Sequence, residues 1–192
     1  MSRVNLLGVG LLQLLFGYEF FDSGWNKLVA SNPSFPAGLA ANLKSMLQGQ
    51  SGWYVNFANS VPLQHPVLFG YLVEWGELLA GIGIIASVVY FMFFNRGDNK
   101  TLRTVFTVIS IASLVGAIFM SLNFWMAAGA PSPLPGQNDP NGEGVTIDIF
   151  GPLLAVALIW WNATSYKVAM AVTKGSTAEL HHHHHHQEVK AS

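Results

Sequence analysis

Between Pro66 and Phe94 the chain is almost continuously apolar, with VLFGYLV before and LLAGIGIIASVVYFMFF after a short polar interruption at Glu74 and Glu77. A run of this length and hydropathy predicts a membrane-spanning helix. Gly70, Glu74, Glu77 and Gly81 recur at i, i+4, i+7 and i+11, which places all four on one helical face. Three further apolar runs predict spans over about residues 4–28, 102–128 and 149–173, separated by segments rich in Gly, Pro, Asn and charged residues. Residues 29–65 are too polar to stay in a bilayer, yet Phe35, Leu39, Leu43, Met46 and Leu47 keep helical spacing after Ser34 and Pro36. Gly49 to Gly52 break that pattern, and Trp53, Tyr54, Phe57 and Ala58 begin a second short apolar face. The expectation is an all-α membrane protein: a four-transmembrane-helix bundle with two short amphipathic helices between spans one and two, capping the bundle at the membrane surface.

Residues 1–175 thus read as a single transmembrane domain, and 176–192 as a C-terminal tail. The tail carries the run His181 to His186, which resembles an affinity tag and takes no part in the functional reading. An even number of spans puts both termini on one side. Arg3, Arg96, Lys100, Arg103, Lys167 and Lys174 lie at one set of span ends, against Lys27 and Lys44 at the other. The excess of cations places the termini in the cytoplasm, and the 29–65 segment and the 129–147 loop outside. That loop, APSPLPGQNDPNGEG, has the composition of irregular chain.

Composition narrows the chemistry. Hydrophobic residues make up 51% and charged residues 10% of the chain, against about a quarter charged in soluble domains. The net charge of −1 gives no basic surface for nucleic acid. The sequence holds no cysteine, so disulfides, iron–sulfur clusters and thiolate metal sites are excluded within the chain. No haem or flavin motif occurs. Outside the tag-like run the only histidine is His65, which leaves no histidine pair for haem. A redox role would therefore use a substrate such as quinone or the cofactor of a partner subunit.

The polar groups of the spans collect toward their outer ends. Glu19, Asp22 and Asn26 share a face of span one, with Trp25 and Lys27 beside them. Glu74 and Glu77 sit ~12–17 Å along span two from its outer end, flanking Trp75. Asn123 and Trp125 close span three, and Asp148 opens span four. The inner halves contribute little beyond Gln13 and Asn162. Carboxylates at such depth are costly and normally face protein or a water-filled cavity. In one reading they form a structural network in which Lys27 pairs with Asp22 or Glu19. In the other they line an outward-facing site where a carboxyl exchanges protons. The functional reading assigns Glu74, Glu77, Asp22 and Lys27 to the chemistry. It assigns Glu19, Trp25, Asn26, Trp75, Asn123 and Trp125 to the walls. Each tryptophan taken singly is also explained as an interfacial anchor.

Three stretches together, GWNKL at the end of span one, GWYVNF…VP in the outer segment and LVEWGELLAGIGI in span two, resemble the DoxX/DoxD family. Its DoxD branch is the membrane subunit of thiosulfate:quinone oxidoreductase. The pattern W-G-E-L-L-x-G, here Trp75 to Gly81, is the best match, and Lys27 matches the lysine of the span-one motif. The likeness covers most of residues 1–175 and leaves out the Pro-rich loop and the tail. It implies oxidation of thiosulfate to tetrathionate with electrons passed to a quinone entering from the lipid. The outer face offers only Lys27, Lys44 and His65 as cations for a dianion, so a partner membrane or extracytoplasmic subunit is expected to supply others. The alternative is a non-catalytic accessory subunit of a larger respiratory or photosynthetic complex that binds lipid, quinone or pigment. A transporter is disfavoured, because polarity confined to the outer half offers no through-path.

Overall fold

A computed structural model describes residues 3–29, 32–94, 99–130 and 147–191, with side chains described for residues 7–29, 32–94, 99–130 and 148–171. Among the described residues six α-helices run in order: α1 (Arg3–Val29), α2 (Phe35–Met46), α3 (Trp53–Ser60), α4 (Pro66–Val89), α5 (Lys100–Ala127) and α6 (Ile147–Ala191). A 3-10 turn, Pro62–Gln64, leads into α4, whose end winds on as a π-helical turn, Tyr90–Phe94. Pro66 sits in the first turn of α4, where a missing N–H costs nothing. Among the described residues three helical stretches are long and apolar enough to cross a membrane: Pro66–Phe94, Lys100–Ala127 and Asp148–Ala171. The protein is an all-helical integral membrane protein. The predicted span one coincides with α1, 27 residues long and about 40 Å end to end, which is not among these three. The 129–147 loop and the turn after Phe94 lie largely outside the described residues. α6 runs on past the predicted end of the last span, near residue 173, to Ala191. After Pro152 that stretch has no proline to stop it.

α1 and α4 pack closely, and glycine is what allows it. A Cβ on Gly24 would lie 2.5 Å from the Leu78 amide nitrogen, and one on Gly81 would collide with the Phe21 backbone. On the same row of α4, a Cβ on Gly70 would collide with Pro36 of α2. The row picked out by spacing is therefore the packing face: Gly70, Glu74, Glu77 and Gly81 are all buried. Ser113 of α5 sits against Gly83, and Ser87 Oγ donates to the Phe106 carbonyl at 3.1 Å, tying α4 to α5. Phe16, Phe20, Ile84, Leu114, Ala117, Ala155 and Leu158 fill the centre between α1, α4, α5 and α6.

Gln13 and Asn162, the isolated polar residues of the inner halves, meet each other. Asn162 Nδ2 donates to Gln13 Oε1 at 3.0 Å, and Gln13 Nε2 donates to Ser110 Oγ at 2.9 Å. This buried chain links α1, α5 and α6, and each member satisfies another, as an apolar interior requires.

α2 and α3 fold back on the end of the bundle. Leu43, Leu47 and Ala58 bury against Ala127 of α5, with Tyr54, Val55 and Leu63 around them. Gln50 Nε2 donates to the Ala127 carbonyl at 2.9 Å, satisfying a helix-end acceptor that has no partner within α5. Tyr54 Oη donates to the Asn123 carbonyl at 3.1 Å. Burial pushes the Tyr54 phenol above its ordinary 10.0, because the phenolate loses water there. The cap thus comes to rest over the same end of the bundle as the α4 carboxylates.

Candidate functional site

At the capped end, α1, α2, α4 and α5 converge on one ammonium group. Lys27 Nζ lies 2.6 Å from Glu77 Oε2 and donates to Ser23 Oγ at 2.7 Å. Ser23 Oγ in turn donates to Glu77 Oε2 at 3.0 Å. The three groups close a ring. Ser23 and Lys27 are four residues apart, so both face α4 from one side of α1. The close approach permitted by Gly24 and Gly81 brings α4 within reach of that side. Two aromatic faces complete the enclosure, Phe35 of α2 and Phe124 of α5, each with its centroid 5.5 Å from Lys27 Nζ. That geometry suits a cation over a ring quadrupole.

Burial within the pair is unequal. Glu77 is 2% exposed, whereas the Lys27 side chain is 21% exposed. The carboxylate is locked inside the protein, while the lysine runs from near the helix end with its stem along apolar surface. Glu74, one turn away on the same face, is 5% exposed. Among the described residues it has no hydrogen bond or ion pair. The two glutamates therefore occupy different environments: one neutralised at contact distance, one buried beside the pair.

The other residues singled out from sequence divide in two. Asn123 and Trp125 lie partly buried at the capped end of α5, where Asn123 Nδ2 donates to the Phe119 carbonyl at 2.7 Å. Glu19, Asp22, Trp25 and Asn26 lie exposed on α1, turned away from the α4 carboxylates. Asp22 accepts from Asn26 at 3.0 Å, and Trp25 stacks on Phe21 at 6.2 Å. Trp75 is exposed as well. Lys27 thus pairs with Glu77 and not with Asp22 or Glu19: its side chain runs to α4, while Asp22 accepts from Asn26 and Glu19 is exposed.

Ser23, Phe35 and Phe124 were not singled out from sequence. Ser23 carried a usable signal, being four residues before Lys27. Phe124 lies between Asn123 and Trp125, and a step of one residue turns a helix by about 100°, so spacing alone did not decide which of the three faces inward. Phe35 reaches the site only through the docking of Pro36 on Gly70, a tertiary contact with no local signature.

Chemically the arrangement offers a fixed positive charge between two aromatic rings and a buried carboxyl within one helical turn. No acid, histidine or cysteine grouping suited to a metal ion occurs among the described residues. No family model, curated protein or solved structure matches the chain.

Proposed function

We propose that the chain is a DoxX/DoxD-like membrane subunit of a quinone-linked oxidoreductase, with α1 as a span alongside the other three and α2 and α3 on the outer surface. The observation that carries this reading is the Lys27–Glu77 pair between Phe35 and Phe124, with Glu74 buried beside it. A quinone headgroup is planar and largely apolar, with a carbonyl oxygen at each end. Aromatic walls suit its ring, and a nearby ammonium stabilises the oxygen charge that builds up on reduction. Reduction consumes two electrons and two protons, and a buried carboxyl on the same helix face is placed to pass protons.

The electron donor follows from the motif resemblance. Two thiosulfates joined through a new S–S bond give tetrathionate and release the two electrons that the quinone accepts. The chain contributes few outward cations, so a partner subunit presenting basic residues completes the dianion site. Both termini then lie in the cytoplasm.

The test is turnover. Purified protein, alone or with its co-purifying partners, is supplied with thiosulfate and a soluble quinone analogue, and quinol formation is followed. The proposal expects reduction that depends on thiosulfate. It also expects that reduction to be lost in Glu74→Gln and in Glu77→Gln while each variant stays monodisperse. A second reading, an accessory subunit holding lipid, quinone or pigment, is favoured by the closed Lys27–Ser23–Glu77 ring, whose members already satisfy one another. Absence of turnover together with stable co-purification in a larger assembly selects that reading.

A further inference from the structure

The face of α1 turned away from α4 is left without a partner. Leu11, Leu15, Tyr18, Asp22, Trp25 and Val29 are all exposed, and they follow one another in alternating steps of four and three. That is the spacing of a seam against which a second helix packs. Leu12, Glu19 and Asn26, seven residues apart, flank the seam and are exposed too. We propose that this seam seats a membrane-spanning helix of another chain, one that carries a lysine or arginine level with Glu19 and Asp22. The inference rests on α1 being a span, as proposed above, and not on quinone or thiosulfate.

The packing of α1 on α4 fixes the depth of the two acids. A Cβ on Gly17 would press on Ile84 and Ile85, and one on Gly81 would collide with the Phe21 backbone. Glu19 therefore lies opposite the stretch from Gly81 to Ile84, with Asp22 one turn nearer the cap. This level is the middle of the 29-residue stretch Pro66–Phe94, about 20 Å from either end. Acids at that depth normally face protein or a water-filled cavity, because lipid offers them no partner. Here they face outward. Asp22 accepts from Asn26 at 3.0 Å, and neither acid has a cationic partner among the described residues, where Lys27 is held by Glu77.

Charge chooses the occupant. Among the described residues a second copy of this chain offers no exposed cation at mid-height. Lys44 lies on α2, and Lys100 and Arg103 open α5. Lys167 follows Tyr166, which hydrogen-bonds to Thr104 at that same end of α5. Two copies related by an axis along the membrane normal would therefore set acid against acid, an unfavourable contact. A foreign helix with a basic residue at the level of Glu19 instead forms a charge-assisted hydrogen bond in surroundings of low dielectric. Tyr18 and Trp25, about one turn to either side of Asp22, supply aromatic faces for the same cation. A polar position inside an otherwise apolar seam also fixes the register of the partner.

Photo-crosslinking of the full-length protein tests the assignment. Benzoylphenylalanine replaces Leu15, the membranes of the cells that naturally make the protein are irradiated, and the adducts are located by peptide mass mapping. The expected adduct lies on another chain, in an apolar segment of about 20 residues that contains a lysine or arginine. In the double variant Glu19→Gln, Asp22→Asn its yield should fall at least about tenfold; both residues are exposed, so the fold is kept. Adducts on a second copy of this chain, on lipid alone or on a segment without a basic residue overturn the proposal, as does an undiminished yield in the double variant. Leu15→Cys separates the partner from the span. It should resist a water-soluble maleimide in the same membranes. Labelling would place α1 outside the bilayer and overturn both readings, whereas protection together with adducts on lipid alone overturns the partner helix and leaves the span standing.

Discussion

Replacing Lys27 by methionine removes the ammonium that joins Glu77, Ser23, Phe35 and Phe124 at the capped end. The substitution keeps the length and apolar stem of the side chain and removes the ammonium that lies 2.6 Å from Glu77. Because Glu77 is 2% exposed, it cannot reach water, and breaking a buried pair in this way costs about 3–5 kcal/mol. The expected loss at neutral pH is therefore about 3–5 kcal/mol.

Glu77→Gln should be milder, about 1–2 kcal/mol, because the partly exposed Lys27 can turn its ammonium toward water. Unfolding followed by tryptophan fluorescence in detergent or lipid at pH 7 measures both variants and the double variant. The cycle should return a coupling of about 2 kcal/mol at pH 7. A Lys27→Met cost below about 1 kcal/mol at pH 7 would refute the reasoning.

Other expectations follow from the packing and from the cap. Gly24→Ala forces a methyl against the Leu78 backbone, which no rotamer change relieves, and should cost about 1–3 kcal/mol in the same unfolding assay. Gly116→Ala, whose added carbon meets nothing within 4 Å, should be neutral or stabilise by up to about 1 kcal/mol. Tyr54→Phe should cost about 1 kcal/mol. In wild type, the stability from the Tyr54 phenol should be complete below its ordinary 10.0 and fall as pH rises past that value, a loss that Tyr54→Phe should lack. Because the chain has no cysteine, single cysteines report topology cleanly. Ser51→Cys, between α2 and α3, should react with an impermeant maleimide from outside intact cells, and Thr101→Cys, in the first turn of α5, only after lysis.

Much of the architecture was legible because membrane spans and helix faces are local signals. The row Gly70, Glu74, Glu77 and Gly81 was visible as a face, and that face is the buried one. Periodicity did not say what the glycines admit. Gly81 and Gly24 admit a neighbouring backbone, and Gly70 admits Pro36; choosing between helix and ligand required knowing which element packs there. The partner of Lys27 was less legible for a related reason. Sequence proximity favoured Asp22 and Glu19, but the rotation of α1 that seats Gly24 on α4 turns those acids outward and Ser23 inward. Gln13 and Asn162, 149 positions apart, gave no sign of each other beyond being polar at similar depth.

The central proposal is a quinone headgroup at the capped end of the bundle, beside Lys27, Phe35 and Phe124. Photo-crosslinking with an azido-quinone carried on a short isoprenoid tail, followed by peptide mass mapping, tests this most directly. The account predicts adducts on α1 near Lys27, on the first turn of α2 or on α5 near Phe124, reduced by an excess of unlabelled quinone. Adducts confined to the inner halves of the helices around Gln13 and Asn162, or labelling that excess quinone does not reduce, would contradict it.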